Sequence, residues 1–447
     1  MEVAGWAPLR IAPDHATVLL VAAVHLGDSG GAGTGPTGSR EPDALYQIPL
    51  VLRRPEGAPA PEEGAEIGVL AVSGGPLRVD DATRDADGRA ALVATLVSGD
   101  GAAGPGLSLA SHRTRPGSPL PLGRAMRSRV LAGEQSNTSL IIETEGASPL
   151  IVKLFRVLQD GENPDAALQG ALTAQGSAHV PAVVGAATVR TGAMRTHALV
   201  AQEFLPQVED AWRVALRLAR AGEDFSAPAR ALGTTLAEVH RDLAAALGTV
   251  AADEGAVRTV IAQMHGRLAQ VAAEVEQVAA HREPLAALLD AAAGQTWPAM
   301  QRIHGDLHLG QVLASPERGW VLLDFEGEPL RALSQRSLPD CPLRDVAGML
   351  RSLDYAAGAV RHGSGRDASA WAADARAAFL AGYVEEAGRD GAAVDTAAGS
   401  VLLAAFEADK AVYEALYEAR NRPDWLPIPL AALARLSARA AGAGSAG

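Results

Sequence analysis

The stretch that decides the fold is Gln301-Arg-Ile-His-Gly-Asp-Leu-His-Leu-Gly-Gln311, followed by Val321-Leu-Leu-Asp-Phe-Glu-Gly-Glu-Pro329. It contains a carboxylate at Asp306, an amide at Gln311, and a second carboxylate at Asp324 after an apolar run. Kinase-type phosphoryl transfer uses a carboxylate to orient the attacking hydroxyl, and an amide and a second carboxylate to hold Mg²⁺ on the phosphates. We therefore interpret Asp306 as the catalytic residue and Gln311, Asp324 and Glu326 as metal ligands.

The two histidines of this stretch, His304 and His308, have the spacing of a zinc metalloprotease site. That site also needs a helix and a glutamate directly after the first histidine. Here Gly305 breaks the helix and the acid comes one position later, so we interpret His304 as a residue that organises the loop. Asp345 heads the next predicted helix and is interpreted as an N-cap or a brace for the loop.

Length and composition limit the class of protein. A chain of 447 residues is expected to form two or three domains. Its 48% hydrophobic and 20% charged residues argue against broad disorder, and a net charge of −13 without a basic cluster argues against nucleic-acid binding. The lone Cys341 fits a reducing compartment, and the apolar run 16–26 is too short to span a bilayer. We expect a cytoplasmic monomer or weak dimer without a membrane partner.

Lysine is rare in this chain. Of 39 basic residues only Lys153 and Lys410 are lysine. A lysine kept against such a bias is a candidate for a chemical role, since arginine cannot replace a compact ammonium everywhere. The alternative is that the two lysines remain by chance. We favour a chemical role more strongly for Lys153 than for Lys410.

The chain divides by pattern into three segments. Residues 1–100 are predicted to form a small α+β cap with one helix over 80–99, and a Gly/Pro-rich linker follows over 101–123. Residues 101–205 are predicted to form an N-lobe with a five-stranded sheet and one helix, and residues 206–447 a mainly helical C-lobe. The fold class is therefore α+β, with a two-lobed, protein-kinase-like layout and an N-terminal cap.

The sheet segment supplies candidate nucleotide ligands. Lys153 lies on the third predicted strand, where its ammonium could reach the phosphates of ATP. The turn before it, 133–139, offers Ser136, Asn137 and Thr138 as phosphate donors, although an ordinary hairpin turn is the alternative. Glu203 and Leu205 follow the last strand, at the position of an adenine-binding hinge.

A late helix supplies candidate sugar ligands. Asp409, Tyr413 and Tyr417 recur along one helical face, with Glu414 on a neighbouring face. A solvated charged helix is the alternative. Carboxylates beside aromatic rings suit sugar hydroxyls or an ammonium group, so these four residues and Asp306 are the predicted substrate site.

From about residue 133 to 430 the chain resembles actinobacterial maltokinases and glucosamine kinases, within the aminoglycoside-phosphotransferase-like superfamily. The matching motifs are Glu134-Gln-Ser-Asn-Thr-Ser139, Gly161-Glu-Asn-Pro-Asp165, His304-Gly-Asp-Leu-His-Leu-Gly-Gln311, Asp324-Phe-Glu-Gly-Glu328, Ala408-Asp-Lys-Ala-Val-Tyr-Glu414 and Asn421-Arg-Pro-Asp-Trp425.

The resemblance implies that Lys153 contacts ATP, that Asp306 is the base, and that Gln311 and Asp324 bind Mg²⁺. Two motifs depart from the maltokinase pattern. Gly5-Trp-Ala-Pro-Leu-Arg10 replaces an Arg-Trp-Tyr/Phe start, and no glutamate follows Asp165, so Asp165 or a water must partner Lys153.

Three hypotheses follow. The first is an ATP-dependent glucosamine kinase that forms glucosamine 6-phosphate, favoured by the atypical cap together with Asp409 and Glu414. The second is a maltokinase that forms maltose 1-phosphate, because the late helix fits that family equally well. The third is a catalytically inactive regulatory protein, which the presence of Lys153, Asp306 and Asp324 argues against.

Overall fold

A computed structural model describes residues 1–25, 44–99, 101–114, 126–131, 137–328, 331–391 and 393–444. The chain divides into two compact units, residues 1–174 with 181–206 and residues 175–180 with 207–447. The predicted cap and the predicted N-lobe both lie in the first unit, and their separation at residue 100 stays a prediction.

The first unit is built on two antiparallel sheets. One has the strand order β1-β2-β3-β5-β4, with β11 paired to β3, and the other has the order β6-β7-β12-β13-β10-β9-β8. The strands are β1 (Glu2–Ile11), β2 (His15–Val24), β3 (Ala44–Arg53), β4 (Glu66–Val72), β5 (Gly75–Asp81), β6 (Ala102–Gly104), β7 (Leu107–Arg113), β8 (Met126–Val130), β9 (Asn137–Thr144), β10 (Leu150–Phe155), β11 (Val157–Leu158), β12 (Val183–Thr191) and β13 (Met194–Glu203).

The seven-stranded sheet corrects the predicted five-stranded one. The two additional strands, β6 and β7, lie in the segment that was predicted to be a linker. β7 pairs with β12 along its length, and its Leu107 and Leu109 face the core while Ser108 and Ala110 face solvent. The alternation of apolar and polar residues covers only four positions and is flanked by glycines and prolines. The sequence pattern therefore indicated a linker here rather than a strand.

Two helices complete the first unit, α1 (Ala86–Ser98) and α2 (Pro164–Gln175). The predicted helix over 80–99 was placed too early. Asp80 and Asp81 end strand β5, and Asp85 caps α1 by accepting the Gly88 N–H at 2.9 Å. An aspartate at the N-cap satisfies a backbone donor that has no partner inside the helix, which explains the later start.

Both sheets of the first unit contribute to one apolar core. Leu19 of β2 and Leu92 of α1 are buried in the same cluster as Val152 of β10. The polar side chain of Gln47 on β3 is also fully buried, and its amide donates to the carbonyls of Phe155 and Ala198 at 3.3 and 3.0 Å. The cap strands are therefore joined to the larger sheet by both apolar packing and hydrogen bonds.

The second unit is mainly helical in the part of the chain that the structure describes. Its small sheets have the orders β14-β17-β18 and β15-β16. The elements are β14 (Glu209–Asp210), α3 (Ala211–Ala221), α4 (Ser226–Leu247), β15 (Thr249–Val250), α5 (Glu254–Glu274), α6 (Glu276–Ala279), α7 (Arg282–Ala293), β16 (Met300–Gln301), β17 (Val312–Ser315), β18 (Gly319–Leu322), α8 (Leu333–Arg336), α9 (Leu343–Ser364), α10 (Ser369–Gly391), α11 (Ala397–Asn421) and α12 (Pro427–Gly444).

None of the helices in the described part of the chain combines the length and the apolar character needed to cross a lipid bilayer.

Candidate active site

Asp345 anchors the loop that carries Asp306. Its Oδ2 accepts the His304 backbone N–H at 2.8 Å, and its Oδ1 accepts the Gly305 N–H, also at 2.8 Å. His240 Nε2 lies 3.1 Å from the same carboxylate. Burial alone would raise the pKa of Asp345, but the hydrogen bond with His240 and the N–H donors of the loop hold it below its usual range. Of the two predicted roles, the brace is the one observed.

One face of α9 fixes the loop at further points. Gly348 lies one turn after Asp345, and a Cβ built there would lie 2.5 Å from the Leu307 carbonyl oxygen. Ser352, a further turn along, accepts the Leu309 N–H at 3.0 Å. Residues spaced three and four apart share a helix face. The loop around Asp306 is therefore held by α9 at three backbone N–H groups, those of His304, Gly305 and Leu309.

His304 joins the loop to the segment after β18. Its Nε2 lies 2.7 Å from the Leu323 carbonyl oxygen, its Nδ1 accepts the Asp306 N–H at 3.4 Å, and its ring packs 4.7 Å from that of Phe325. One ring nitrogen contacts the loop and the other contacts the segment after β18, which agrees with a residue that organises the loop. Among the described residues, no group of three or more His, Cys, Asp or Glu side chains is arranged to hold a metal ion.

The predicted metal ligands Gln311 and Asp324 lie at the same end of a two-stranded ladder. β17 begins directly after Gln311, β18 ends at Leu322, and Val312 pairs with Leu322. The Leu323 N–H donates to the Gln311 carbonyl at 2.9 Å, so the amide and the carboxylate leave neighbouring points of the backbone. Asp324 has a φ of +56°, a left-handed conformation that is uncommon outside glycine.

The predicted third ligand, Glu326, belongs to the turn after Asp324. Its N–H donates to the Asp324 carbonyl at 2.8 Å, and its own carbonyl accepts from Arg336 Nη1 at 3.3 Å. These bonds fix its backbone. They do not make it part of a three-carboxylate cluster, so its role as a ligand stays a prediction.

The carboxylate of Asp306 lies against an ammonium group. Lys410 of α11 donates from Nζ to Asp306 Oδ1 at 2.7 Å, although the two residues are 104 positions apart. The two side chains keep exposed fractions of 23% for Lys410 and 19% for Asp306. The pair is therefore partly exposed to solvent.

Lys153 has a buried carboxylate as its partner. Its Nζ donates to Asp165 Oδ2 at 2.8 Å, and Gln169 donates to the other oxygen of the same carboxylate. Asp165 lies in the first turn of α2, where a negative charge is stabilised by the helix dipole. Of the two alternatives for a partner of Lys153, Asp165 is the one that the structure shows.

Residues 128–396, more than half of the chain, match the family described as phosphotransferase enzyme family. The chain belongs to this family. It is therefore a phosphotransferase, and the family membership predicted from the motifs around Asp306 is confirmed.

Two curated relatives are similar over most of their length. The glucosamine kinase of Mycolicibacterium smegmatis is 30% identical over 327 residues, which cover 69% of this chain and 79% of the relative. The glucosamine kinase of Streptacidiphilus jiangxiensis is 29% identical over 317 residues, which cover 66% of this chain and 70% of the relative.

Solved structures show the same fold. A glucosamine kinase in complex with glucosamine, ADP and inorganic phosphate matches with a TM-score of 0.68 and 23% identity, over 96% of this chain and 92% of that one. A second structure, glucosamine kinase in crystal form A, also matches with a TM-score of 0.68. The two-lobed kinase-like fold of this phosphotransferase is confirmed.

The predicted phosphate-binding residues of the phosphotransferase lie at the start of β9. Ser136 is outside the described residues. Asn137 pairs with Phe155, and Thr138 uses its hydroxyl to accept from Arg156 Nε at 2.9 Å. The Thr138 hydroxyl is thus already a hydrogen-bond acceptor, and its role toward phosphate stays a prediction.

The predicted hinge residues follow β13. Glu203 is the last residue of that strand and its N–H donates to the Ala182 carbonyl at 2.9 Å, while the next N–H, of Phe204, donates to Pro149. Because both donors are used, Leu205 becomes the better candidate of the two predicted hinge residues for an N–H bond to adenine.

Asp409 is held between two arginines. Its Oδ1 lies 3.2 Å from Arg267 Nε and its Oδ2 accepts from Arg344 Nη1 at 3.1 Å. Arg267 also pairs with Glu328 at 2.8 Å. These four residues line one small cleft with Asp306 and Lys410. The structure places Asp409 in the same cleft as Asp306, and its charge is balanced by the two arginines.

The two predicted tyrosines have different surroundings. The ring of Tyr413 lies 5.2 Å from Lys410 Nζ and 5.5 Å from the Arg267 guanidinium, two groups that line the cleft. Tyr417 is 46% exposed, and its ring lies 5.5 Å from the guanidinium of Arg422. Of the two tyrosines, Tyr413 is the one that these contacts place beside Lys410 and Arg267.

Glu414 is not placed in the cleft. Its Oε2 accepts from Arg351 Nη2 and Nε at 2.8 and 3.0 Å, and Arg351 is fully buried. Arg351 lines a separate cavity of about 800 Å³ bounded also by Asp354 and Gly358 of α9. The Glu414 carboxylate is bound by the buried Arg351. The contacts of Glu414 therefore give no support to the prediction that it binds substrate.

Three residues of the cleft were missed as site residues in the sequence. Arg267 and Arg344 are not distinguished from the many other arginines of the chain, and Glu328 drew notice only as part of the motif that begins at Asp324. Lys410 did carry a signal, its rarity, but nothing in the sequence indicated that Asp306 is its partner.

Proposed function

We propose that this phosphotransferase is a glucosamine kinase that transfers the γ-phosphoryl group of ATP to D-glucosamine, giving ADP and D-glucosamine 6-phosphate. The observation that carries the proposal is the fixed loop around Asp306, in a chain that aligns with 79% of a curated glucosamine kinase. The loop supports phosphoryl transfer, and the relatives support glucosamine rather than maltose as the acceptor.

On the nucleotide side, Lys153 would contact the phosphates of ATP. Its ion pair with Asp165 holds the ammonium in one place on β10, and a lysine with a fixed carboxylate partner is a recurring part of kinase sites. Asn137, Thr138 and the N–H of Leu205 would add contacts to the phosphates and the adenine.

Gln311 and Asp324 would hold Mg²⁺. Their amide and carboxylate oxygens are hard ligands, and they leave adjacent backbone positions, as a shared ion requires. Magnesium in kinase sites is usually bound by one or two side chains and the substrate phosphates, so a cluster of three protein carboxylates is not needed. Bound Mg²⁺ would neutralise charge on the phosphates of ATP.

Asp306 would orient the 6-hydroxyl of the sugar. The hydroxyl oxygen forms the new bond to phosphorus, the bond from phosphorus to the β–γ bridging oxygen breaks, and its electron pair leaves with ADP. The hydroxyl proton passes to the Asp306 carboxylate. Asp345, Gly348 and Ser352 contribute by keeping the loop fixed, because a displacement of about 1 Å in such a site can cost about 10²-fold in rate.

The lone thiol of the chain agrees with a reducing cytoplasm, where we propose that the kinase works. Cys341 is fully buried, and burial raises its pKa. A buried thiol of this kind is inert toward disulfide exchange.

A coupled assay of ADP release tests the proposal with glucosamine, N-acetylglucosamine, glucose and maltose as acceptors. We expect kcat/KM to be highest for glucosamine, and ³¹P NMR of the product to show a phosphate on C6. Faster turnover of maltose, or a 1-phosphate product, would contradict the proposal and favour the maltokinase alternative.

A further inference from the structure

Lys410 lies directly beside the carboxylate that would orient the acceptor hydroxyl. An acceptor hydroxyl that is oriented by Asp306 must lie within hydrogen-bond reach of its carboxylate, about 2.6–3.2 Å. The phosphorus under attack lies about 3–3.5 Å beyond that oxygen. Since Lys410 Nζ is 2.7 Å from Asp306 Oδ1, its ammonium lies within about 6 Å of such an acceptor oxygen and within about 9 Å of the phosphorus, whatever the direction of approach.

The ammonium of Lys410 is kept charged by its surroundings. Burial alone would lower its pKa, but Asp306, Glu414 and Glu328 together raise it above the usual range. The ring of Tyr413, 5.2 Å from Nζ, adds a favourable face for a cation. Lys410 is therefore a permanent positive charge beside the catalytic carboxylate at neutral pH.

A positive charge beside Asp306 has two opposite effects: it disfavours proton transfer to Asp306 and it stabilises negative charge on the phosphoryl group. It makes Asp306 a weaker proton acceptor. In a loose transition state, however, charge is spread over the equatorial oxygens of the phosphoryl group, and catalysis consists mainly of positioning and charge stabilisation. An ammonium carries three donors, and Asp306 takes one of them.

We propose that Lys410 is a second catalytic residue of the kinase, which donates a hydrogen bond to an equatorial oxygen of the γ-phosphoryl group during transfer. The proposal rests on the proposed phosphoryl transfer to a sugar. As the sugar oxygen bonds to phosphorus and ADP departs, Asp306 receives the hydroxyl proton and loses its negative charge. Lys410 then remains paired with the phosphate product, whose oxygens carry the charge.

A purely structural tie between α11 and the loop is the competing explanation. The loop is already fixed from α9 by Asp345 and Ser352, which account for three of its backbone donors. An arginine could serve as a structural tie, yet this position has a lysine in a chain with 37 arginines and two lysines (39 basic residues, less two). A compact ammonium, unlike the larger guanidinium, fits between a carboxylate and a phosphoryl oxygen.

The test uses four variants: Lys410→Met, Lys410→Arg, Lys410→Ala, and Arg420→Met as the control that removes an exposed cation from the same helix. Calorimetry first measures the affinity for MgADP alone, and then for MgADP with aluminium fluoride and glucosamine, which mimics the transferring phosphoryl group. We expect Lys410→Met to bind MgADP within about twofold of wild type, and to bind the mimic at least 10-fold more weakly. Its kcat should fall about 10²–10³-fold, the usual cost of losing one donor to developing charge.

The kcat of Lys410→Arg should stay below a tenth of the wild-type value. Arg420→Met should have the kcat and the affinities of wild type. Equal affinity of Lys410→Met and wild type for the aluminium fluoride complex would overturn the inference, since a structural tie predicts no selective loss there. Added ethylammonium should raise the kcat of Lys410→Ala, which separates a missing cation from a misfolded site. If wild type turns over no sugar at all, the proposed function fails instead.

Discussion

Lys153 and Asp165 form a buried ion pair, 2.8 Å long, between side chains that are 7% and 0% exposed. In this phosphotransferase an aspartate in the first turn of a helix thus partners the strand lysine. Removing one member of a buried pair leaves the other charge without compensation, at a cost of about 3–5 kcal/mol.

Asp165→Asn is therefore expected to lower the free energy of unfolding by a few kcal/mol and to raise the KM for ATP about tenfold, with a smaller effect on the KM for the sugar. Urea denaturation and initial rates at varied ATP measure both. Glu162→Gln, which changes an exposed carboxylate just before the same helix, is the control. An unchanged KM for ATP in Asp165→Asn would contradict the role of this pair.

Gly348→Ala is expected to damage the catalytic loop. The added methyl group would lie 2.5 Å from the Leu307 carbonyl oxygen, so helix and loop must separate. Overpacking of this kind costs about 1–3 kcal/mol, and displacement of Asp306 should reduce kcat at least tenfold.

Gly363→Ala provides the matched control on the same helix. A Cβ there meets no atom within 4 Å, so the substitution should leave kcat unchanged and stabilise the helix by up to about 1 kcal/mol. Equal kcat values for the two variants would show that the contact between α9 and the loop has no influence on catalysis.

The brace at Asp345 predicts a dependence of stability on pH. Its folded-state pKa is lowered, so it contributes stability above its unfolded pKa of about 3.9, and this contribution is lost as pH falls through the folded-state value. Asp345→Asn should therefore be much less stable than wild type at pH 7. The difference in melting temperature between the two proteins should become smaller below about pH 4. Thermal melts from pH 7 to pH 3 measure it, and a gap that stays constant with pH would contradict the role of the charge.

Asp409 and Glu414 are two carboxylates of α11 with different surroundings, since Asp409 lines the cleft and Glu414 does not. Glu414 pairs with Arg351 away from the cleft, so Glu414→Gln should lower the melting temperature while changing the KM for glucosamine less than twofold. Asp409→Asn removes one carboxylate from the cleft, while Arg267 keeps Glu328 and Arg344 keeps Asp340. The cleft becomes more positive, so the KM for glucosamine should rise at least fivefold, because added positive charge repels an ammonium sugar. A larger KM effect from Glu414→Gln would restore its predicted place in the substrate site.

The catalytic loop could be predicted because its chemistry is local in sequence. Asp306, Gln311 and Asp324 lie within one short stretch, and the spacing alone suggests phosphoryl transfer. The pairs that complete the cleft are not local. Arg267 meets Asp409, and Lys410 meets Asp306, across more than a hundred positions, and such contacts depend on how helices pack. Strand β7 was missed for a different reason, since its alternation is short and flanked by turn residues.

The most direct test of the account is kcat for glucosamine phosphorylation by wild type and Asp306→Asn, measured as ADP release at saturating ATP and sugar. General base catalysis contributes about 10²–10⁴-fold, so a loss of that size is expected, with the affinity for ADP unchanged. If Asp306→Asn retains kcat within a factor of ten of wild type, Asp306 is not the catalytic residue and the account is wrong.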